Sequence, residues 1–463
     1  MSATEVTTEK QKEETLLQQA AQLQAEGKLA EAAVLYLNLI AQQPNFWEAY
    51  QRLGITLCGL KHYEAAIAYL HLGRHLRPQN PDSLNNLAQA LHLSGQFAQA
   101  AIYYQEALAL KPEDALIQKN YAFNLSDQGR LSEAMALFKT LAEQHPKEPE
   151  ILRGYNLTLL LEGNLKHALQ ETYKLRQRQR EDNPTPQLIK QPMWQGEPFP
   201  DKRLLIYEED GIEFGFGDML QLCRYIPWAV TEFREVIVEC RAPLARLLTQ
   251  LHPDLIIVTR GDPLPAFDLH VSVMDLSLLY AVKMPEPIPA VSPYLRVPRE
   301  WLAEIRLPMN RVPKVGLAWA GAPQRQQDQR RSCPFKHLLT LLSLPDIEFY
   351  SLQKGERAKA IAEHYCQELI RDLSPRLKDF AATAAVIAQL DLVITVDTAV
   401  AHLAGALGKA VWVLLPYNPD WRWQLNRDDS PWYPSMKLFR CPKPYAWEAV
   451  LEKICCDLAA LKK

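Results

Sequence analysis

Several things are scarce in this 463-residue sequence. No apolar run approaches the ~18–20 residues needed to span a bilayer, so no transmembrane segment is expected. The N-terminal stretch MSATEVTTEKQKEETLLQQ is polar and charged and has no apolar signal-peptide core. A cytoplasmic protein is the resulting expectation. Eight cysteines are scattered without a CxxC pair, and the adjacent Cys455 and Cys456 suit neither a disulfide nor a zinc knuckle. Reduced, buried thiols and no metal site are expected. A net charge of −3 leaves no basic excess to attract nucleic acid or an anionic membrane. What remains, 48% hydrophobic and 23% charged residues, is the make-up of a globular chain. Its length leaves room for about three domains.

The strongest positive signal is a period of 34. Gly27, Gly95, Gly129 and Gly163 keep that register, with Lys61 in the missing slot. Five residues after each slot come Ala32, Ala66, Ala100, Ala134 and Ala168. Nine after come Tyr36, Leu70, Tyr104, Phe138 and Thr172, and seventeen after come Pro44, Pro78, Pro112 and Pro146. A glycine suits the turn between two helices, where a left-handed backbone is cheap. The alanine lets paired helices approach, the large apolar residue fills the gap to the next repeat, and the proline ends the second helix. This is the pattern of tetratricopeptide repeats (TPRs). An array is expected over residues 13–182, behind a flexible tail at 1–12. Its last helix, with KLRQRQRED, reads as a polar terminal cap. Asn86 and Asn120 share one repeat position and resemble the asparagine ladder of the TPRs of O-GlcNAc transferase. They mark a groove for a protein or peptide, or else are ordinary polar residues on a helix face.

Residues 183–200 hold several prolines and read as a linker or docking strap. Beyond them the pattern changes to strands alternating with helices. Strands are expected at LLIY (204–207), VIVE (236–239), LIIV (255–258) and FDLHVSV (267–273). After the proline-rich MPEPIPAVSPYLRVP (284–298), further strands are expected at KVGLAWAG (314–321), IEFYSLQ (347–353), LVITVD (392–397) and AVWVLL (410–415). Two parallel, doubly wound lobes follow, at 201–298 and 299–463, with the cleft between them as the default site.

Four turns at strand ends carry candidate chemistry. In GFGDML, Gly215 and Gly217 let the backbone approach a ligand, and Asp218 is either a general base or a helix cap. In DTAVAHLAGALGK, Asp397 and Thr398 end a strand, and the N–H groups of Thr398, Ala399 and Val400 suit a diphosphate. His402, one turn in, is a phosphate donor or a structural histidine. The loop AWAGAPQRQQDQRRS offers Arg325, Arg330 and Arg331 to phosphate, or is merely solvated. In SLQKGERAKAI, Lys354 is placed for phosphate and Glu356 for a ribose hydroxyl, or both form a charged helix start.

Residues 201–460 resemble the heptosyltransferase-type glycosyltransferases (glycosyltransferase family nine, GT-B fold). The stretches that carry the likeness are GFGDMLQLCRYIP, GDPLPAFDLH, LDLVITVDTAVAHLAGALGKAVWVLLP and PDWRWQLNRDDSPWYPSMKLFR. The whole chain is similar to bacterial TPR proteins that carry a compact domain of this kind. The implied fold is a TPR α-solenoid followed by a compact GT-B domain of two Rossmann-like lobes. The implied activity is sugar transfer from a nucleotide-diphosphate sugar, inverting and without metal or cofactor, in keeping with the lack of an Asp-x-Asp motif. Asp218 would be the base. Asp397, Thr398, Ala399, His402, Lys354, Glu356 and Arg330 or Arg331 would hold the donor. The chain departs from the family in having Ala399 for glycine, a long turn at 208–218 and a domain, residues 201–460, shorter than a typical heptosyltransferase. Those departures keep a non-catalytic TPR adaptor open as an alternative. A polysaccharide or lipopolysaccharide transferase is a further one.

Overall fold

The computed structural model describes residues 3–182, 189–208, 214–321 and 331–461. Arg325 and Arg330 lie outside these residues. The chain divides into two compact units, residues 1–158 and 159–463.

The first unit is helical throughout. It consists of α1 (Ala3–Ala25), α2 (Leu29–Gln42), α3 (Trp47–Gly59), α4 (Tyr63–Leu76), α5 (Pro81–Leu93), α6 (Phe97–Leu110), α7 (Ala115–Asp127) and α8 (Leu131–Gln144). Helix α9 (Pro149–Glu162) runs across the division. The stretch expected as a flexible tail is instead helical from Ala3, because its Glu, Lys and Gln residues are good helix formers. From α1 to α8 each helix packs on the next. Ala32, Ala66, Ala100 and Ala134, with Tyr36, Leu70, Tyr104 and Phe138, are wholly buried. The turn slot has φ of 78° at Gly27, 84° at Gly95 and 75° at Gly129, and Lys61 adopts 63° in the same place. The prolines fall two residues beyond the ends of α2, α4, α6 and α8.

In the second unit, α10 (Leu165–Asp182) precedes the strap, and two parallel sheets follow. The first sheet contains β1 (Phe199–Tyr207), α11 (Phe216–Leu222), α12 (Ile226–Glu232), β2 (Phe233–Cys240), α13 (Ala242–Leu248), β3 (Leu255–Thr259), β4 (Leu269–Ser272) and α14 (Val273–Lys283). Its strand order is β3-β2-β1-β4. The second contains β5 (Lys314–Ala318), α15 (Phe335–Leu342), β6 (Glu348–Ser351), β7 (Ile370–Asp372), α16 (Phe380–Ala388), β8 (Leu392–Val396), α17 (Ala399–Ala406), β9 (Val411–Leu415), β10 (Met436–Arg440) and α18 (Trp447–Leu461). Its order is β10-β9-β8-β5-β6-β7, that of a doubly wound dinucleotide fold, with the switch point between β5 and β8. The central strands β5, β8 and β9 are buried at every position, as parallel strands covered on both faces must be. Strands β7 and β10 are too short or too mixed in polarity to stand out in the sequence.

Two of the three arginines of the polar helix α10 turn inward, while Arg178 is exposed. Arg176 and Arg180 both pair with the buried Asp275 of α14, Arg176 at 2.9 Å. The Ser272 hydroxyl gives Asp275 a third donor at 2.7 Å. The strap then covers the edge strand β4. His270 N–H donates to Pro192 O and Trp194 N–H to His270 O, and the wholly buried Trp194 packs on Trp228 and Phe233.

Candidate functional site

The two sheets meet where α11 of the first faces α17 of the second. Both helices start at the carboxyl end of a strand region, so two N-termini point into one place. The approach is close because Gly217 has no side chain. A Cβ there would stand 2.9 Å from His402 Cδ2 and 3.6 Å from Ala399 Cα.

Asp218 lies at the third position of α11. One carboxylate oxygen accepts the Gly215 N–H at 2.5 Å, a capping role. The other accepts Arg422 Nη2 at 2.6 Å. Of the two readings of the sequence, the helix cap is the one this geometry displays, with Asp218 at the third helical position and Gly215 at the N-cap. Asp218 stays reachable, with 17% of the side chain exposed. Arg422 sits in a single turn, Trp421–Trp423, opened by Asp420. Its Nε donates to Gln221 Oε1 at 2.6 Å and its Nη1 to Asp420 Oδ1 at 2.9 Å. One guanidinium therefore ties Asp218 and Gln221 of the first lobe to Asp420 of the second. Burial works against its charge, but Asp420 and Asp218 hold it more firmly protonated than usual.

On the other side, Asp397 ends β8 at the switch point, and Thr398 is the N-cap residue of α17. The helix's own bonding begins with Ala401 N–H to Thr398 O, so the N–H groups of Thr398, Ala399 and Val400 precede it. Arg331 Nη1 stands 4.0 Å from Asp397 Oδ2, and His402 Nε2 3.9 Å from Asp397 Oδ1. Burial, reinforced by the Asp420 charge, pushes Asp397 up to about 6 against the pull of Arg331 and Arg422. Burial also pushes His402 down to about 3, with Arg422 adding to the effect. His402 is therefore a neutral imidazole. It stacks on Trp423 at 5.5 Å, and its Nδ1 meets the Tyr433 hydroxyl at 3.0 Å.

The structure thus brings together Gly215, Gly217, Asp218, Asp397, Thr398, Ala399, His402 and Arg331. The SLQKGERAKAI turn behaves differently. Lys354 donates to Leu377 O, while Glu356 is exposed and pairs with Lys359 at 2.7 Å, the charged helix start of the alternative reading. In their place the buried Gln353 reaches the end of β5. Its Oε1 accepts from Trp319 N and Ala320 N, and its Nε2 donates to Ala320 O. In the helical unit, Asn86 Nδ2 donates to Gln51 Oε1 and Asn120 Nδ2 to Asn85 Oδ1, each at 3.0 Å. These amide donors stitch neighbouring repeats.

Asp420, Arg422, Trp423 and Tyr433 are site residues that the sequence reading did not single out. They come from PDWRWQLNRDDSPWYPSMKLFR, a stretch that carries the family likeness but has no regular pattern to mark single residues. At the carboxyl end of β1 lies another buried acid, Glu208, paired with Arg241 at 2.7 Å. Arg241 in turn covers the Phe216 ring at 4.1 Å. Cavities of about 500 and 740 Å³ flank the interlobe linker and do not include Asp218 or Asp397.

A lobe-spanning site at the switch point of the second of two parallel sheets, in one chain with a 34-residue helical repeat, defines a repeat protein with a two-lobed α/β domain. Comparison with known proteins makes the class specific. The model of glycosyltransferase family 9 (heptosyltransferase) matches residues 348–440, and tetratricopeptide-repeat models match 52–115 and 91–155. Residues 348–440 are thus similar to glycosyltransferase family 9, and residues 52–155 to tetratricopeptide repeats. The chain is similar to protein FlbA of Caulobacter vibrioides, with 27% identity over 288 residues, 56% of this chain and 47% of FlbA. It is also similar to the human protein O-mannosyl-transferase TMTC2, with 46% identity over 57 residues, 12% of this chain and 7% of that protein. The chain thus spans about half the length of FlbA and far less of TMTC2. Among solved structures, MamA of Desulfovibrio magneticus RS-1 aligns at a TM-score of 0.34 and 17% identity, over 37% of this chain and 97% of that one. TTC0263, a TPR protein of Thermus thermophilus, aligns at 0.33 and 21%, over 38% and 93%. Among the described residues no helix is long and apolar enough to cross a membrane.

Proposed function

We propose that this chain transfers a sugar from a nucleotide-diphosphate donor to an acceptor hydroxyl, on a protein recruited through the TPR groove. The observation that carries the reading is the packing of α11, which bears Asp218, on the start of α17 across the lobe boundary, with Arg422 tying Asp218 to Asp420 of the second lobe. The donor diphosphate lies at the start of α17. There the N–H groups of Thr398, Ala399 and Val400, the helix dipole and Arg331 stabilise the charge of the leaving diphosphate. Arg422 is a further cation within the same cluster. These groups supply the stabilisation without a metal ion. Asp218 takes the acceptor proton as the acceptor oxygen bonds to the anomeric carbon and the carbon–oxygen bond to diphosphate breaks. A carboxylate has about four lone-pair directions, so its bonds to Gly215 and Arg422 leave room for the acceptor.

The test uses the full chain. Binding of UDP, GDP and ADP is measured by calorimetry, and transfer from a panel of labelled nucleotide sugars to lysate proteins is measured with and without EDTA. Wild type is expected to bind one diphosphate and transfer with or without chelator, and Asp218→Asn to bind but not transfer. No binding and no transfer would remove the enzyme reading; loss of transfer with EDTA would remove metal independence. A nucleotide-binding adaptor is the second reading, favoured by Ala399 at the phosphate turn and by the two bonds already made by Asp218. Binding without transfer by wild type would select it.

A further inference from the structure

Behind His402 lies a buried chain of polar groups that takes no direct part in the chemistry just described. Arg224, which follows α11, is enclosed by Tyr294, Trp432 and Tyr433. Its guanidinium donates to the carbonyls of Gln221 and Trp432 and to the Tyr294 hydroxyl. Each phenol has a single proton to give. Tyr294 gives its own to Leu220 O at 2.7 Å, since a carbonyl can only accept. Tyr433 has two neighbours left: the Tyr294 oxygen at 3.4 Å and His402 Nδ1 at 3.0 Å. The first distance is long for a hydroxyl bond, which favours ~2.5–3.0 Å. The Tyr294 oxygen also already accepts from Arg224. The proton of Tyr433 therefore goes to His402.

We infer that Tyr433 is a positioning residue that holds His402 in the tautomer with its proton on Nε2. The other side of the ring agrees. Nε2 is the atom nearer Asp397, at 3.9 Å, and an N–H suits a carboxylate where a lone pair would not. Nε2 also lies on the side of the Gly217 backbone, where the missing side chain leaves room. Because burial keeps the ring uncharged, the tautomer alone decides what it offers. With the proton on Nε2 it presents a neutral donor at the first turn of α17. With the proton on Nδ1 it would turn a lone pair toward any anion bound there. That use rests on the donor-phosphate reading; the tautomer does not.

The experiment is nitrogen NMR on the full chain labelled at its histidines, with the His402 signals assigned by their loss in His402→Gln. Wild type is expected to show the Nε2-protonated pattern, unchanged through neutral pH. Tyr433→Phe should shift His402 toward the Nδ1-protonated form. It should also weaken UDP or GDP binding about fivefold, the weight of one neutral hydrogen bond. Tyr294→Phe should leave the tautomer as it is. An Nδ1-protonated wild type overturns the inference, as does a Tyr433→Phe spectrum identical to wild type. Should Tyr433→Phe not fold, the wild-type spectrum alone decides. A tautomer shift with no change in nucleotide binding, or with no nucleotide binding by wild type, upholds the positioning role and removes the donor-phosphate reading instead.

Discussion

Replacing Gly217 by alanine sets two effects of opposite sign against each other. Gly217 is the second residue of α11 and has an ordinary helical backbone, so an alanine gains up to about 1 kcal/mol of helix propensity. Against this, its Cβ would lie 2.9 Å from Cδ2 of His402, closer than such atoms approach. The neighbour is not the free end of a flexible chain. His402 is buried, stacked on Trp423 and bonded to Tyr433. Moving such a ring is overpacking, which costs about 1–3 kcal/mol. Packing wins, and the expected net loss is about 1–2 kcal/mol. In the melting transition of the unit holding residues 159–463 this is a drop of about 1.5–3 °C, at ~2.1 cal/mol/K of unfolding entropy per residue. The assay is thermal unfolding of wild type, Gly217→Ala, His402→Ala and the double variant. The double variant should recover at least about 1 kcal/mol relative to the sum of the single effects, because the clash then has no partner. A Gly217→Ala protein more stable than wild type, with additive effects in the cycle, would refute the close approach of the two helices.

Other changes read other parts of the molecule. Arg422→Ala leaves two carboxylates, Asp218 and Asp420, without their shared cation, and denaturant unfolding should show a loss of about 3–5 kcal/mol. Asp275→Ala strands Arg176 and Arg180 against α14 and should cost a similar amount, about 3–5 kcal/mol by the same measurement; a loss near zero would mean that α10 is not anchored there. Asp397 stands at about 6 when folded, above its ordinary 3.8, so the folded state binds the extra proton between those values and stability falls as pH rises through them. Asp397→Asn should therefore gain on wild type between pH ~4 and ~7, and a difference constant across that window would contradict the burial of this acid. Lys61→Gly relieves a left-handed residue, a gain of about 1–2 kcal/mol offset by about 0.5–1 kcal/mol of glycine chain entropy, so a small rise in thermal stability is expected.

The repeat was legible because it is local. A turn glycine, a small alanine and a closing proline each act within a few residues of their neighbours, and a period of 34 repeats that local chemistry until it stands out. Lys61 shows the same logic, since the turn geometry imposes a positive φ even where the glycine is missing. The strands of the two lobes were legible for a similar reason: buried parallel strands are unbroken apolar runs. Asp218, Asp397 and His402 were visible as candidates because each stands at a strand–helix turn. Which of their two readings applied was not visible. Nothing along the chain says that Arg422 lies 2.6 Å from Asp218, some two hundred residues earlier, or that Gln353 reaches the end of β5. Those outcomes depend on how two sheets meet and on which charges share a buried space. Only the tertiary structure decided them, because burial and distance, unlike periodicity, are not properties of neighbouring residues.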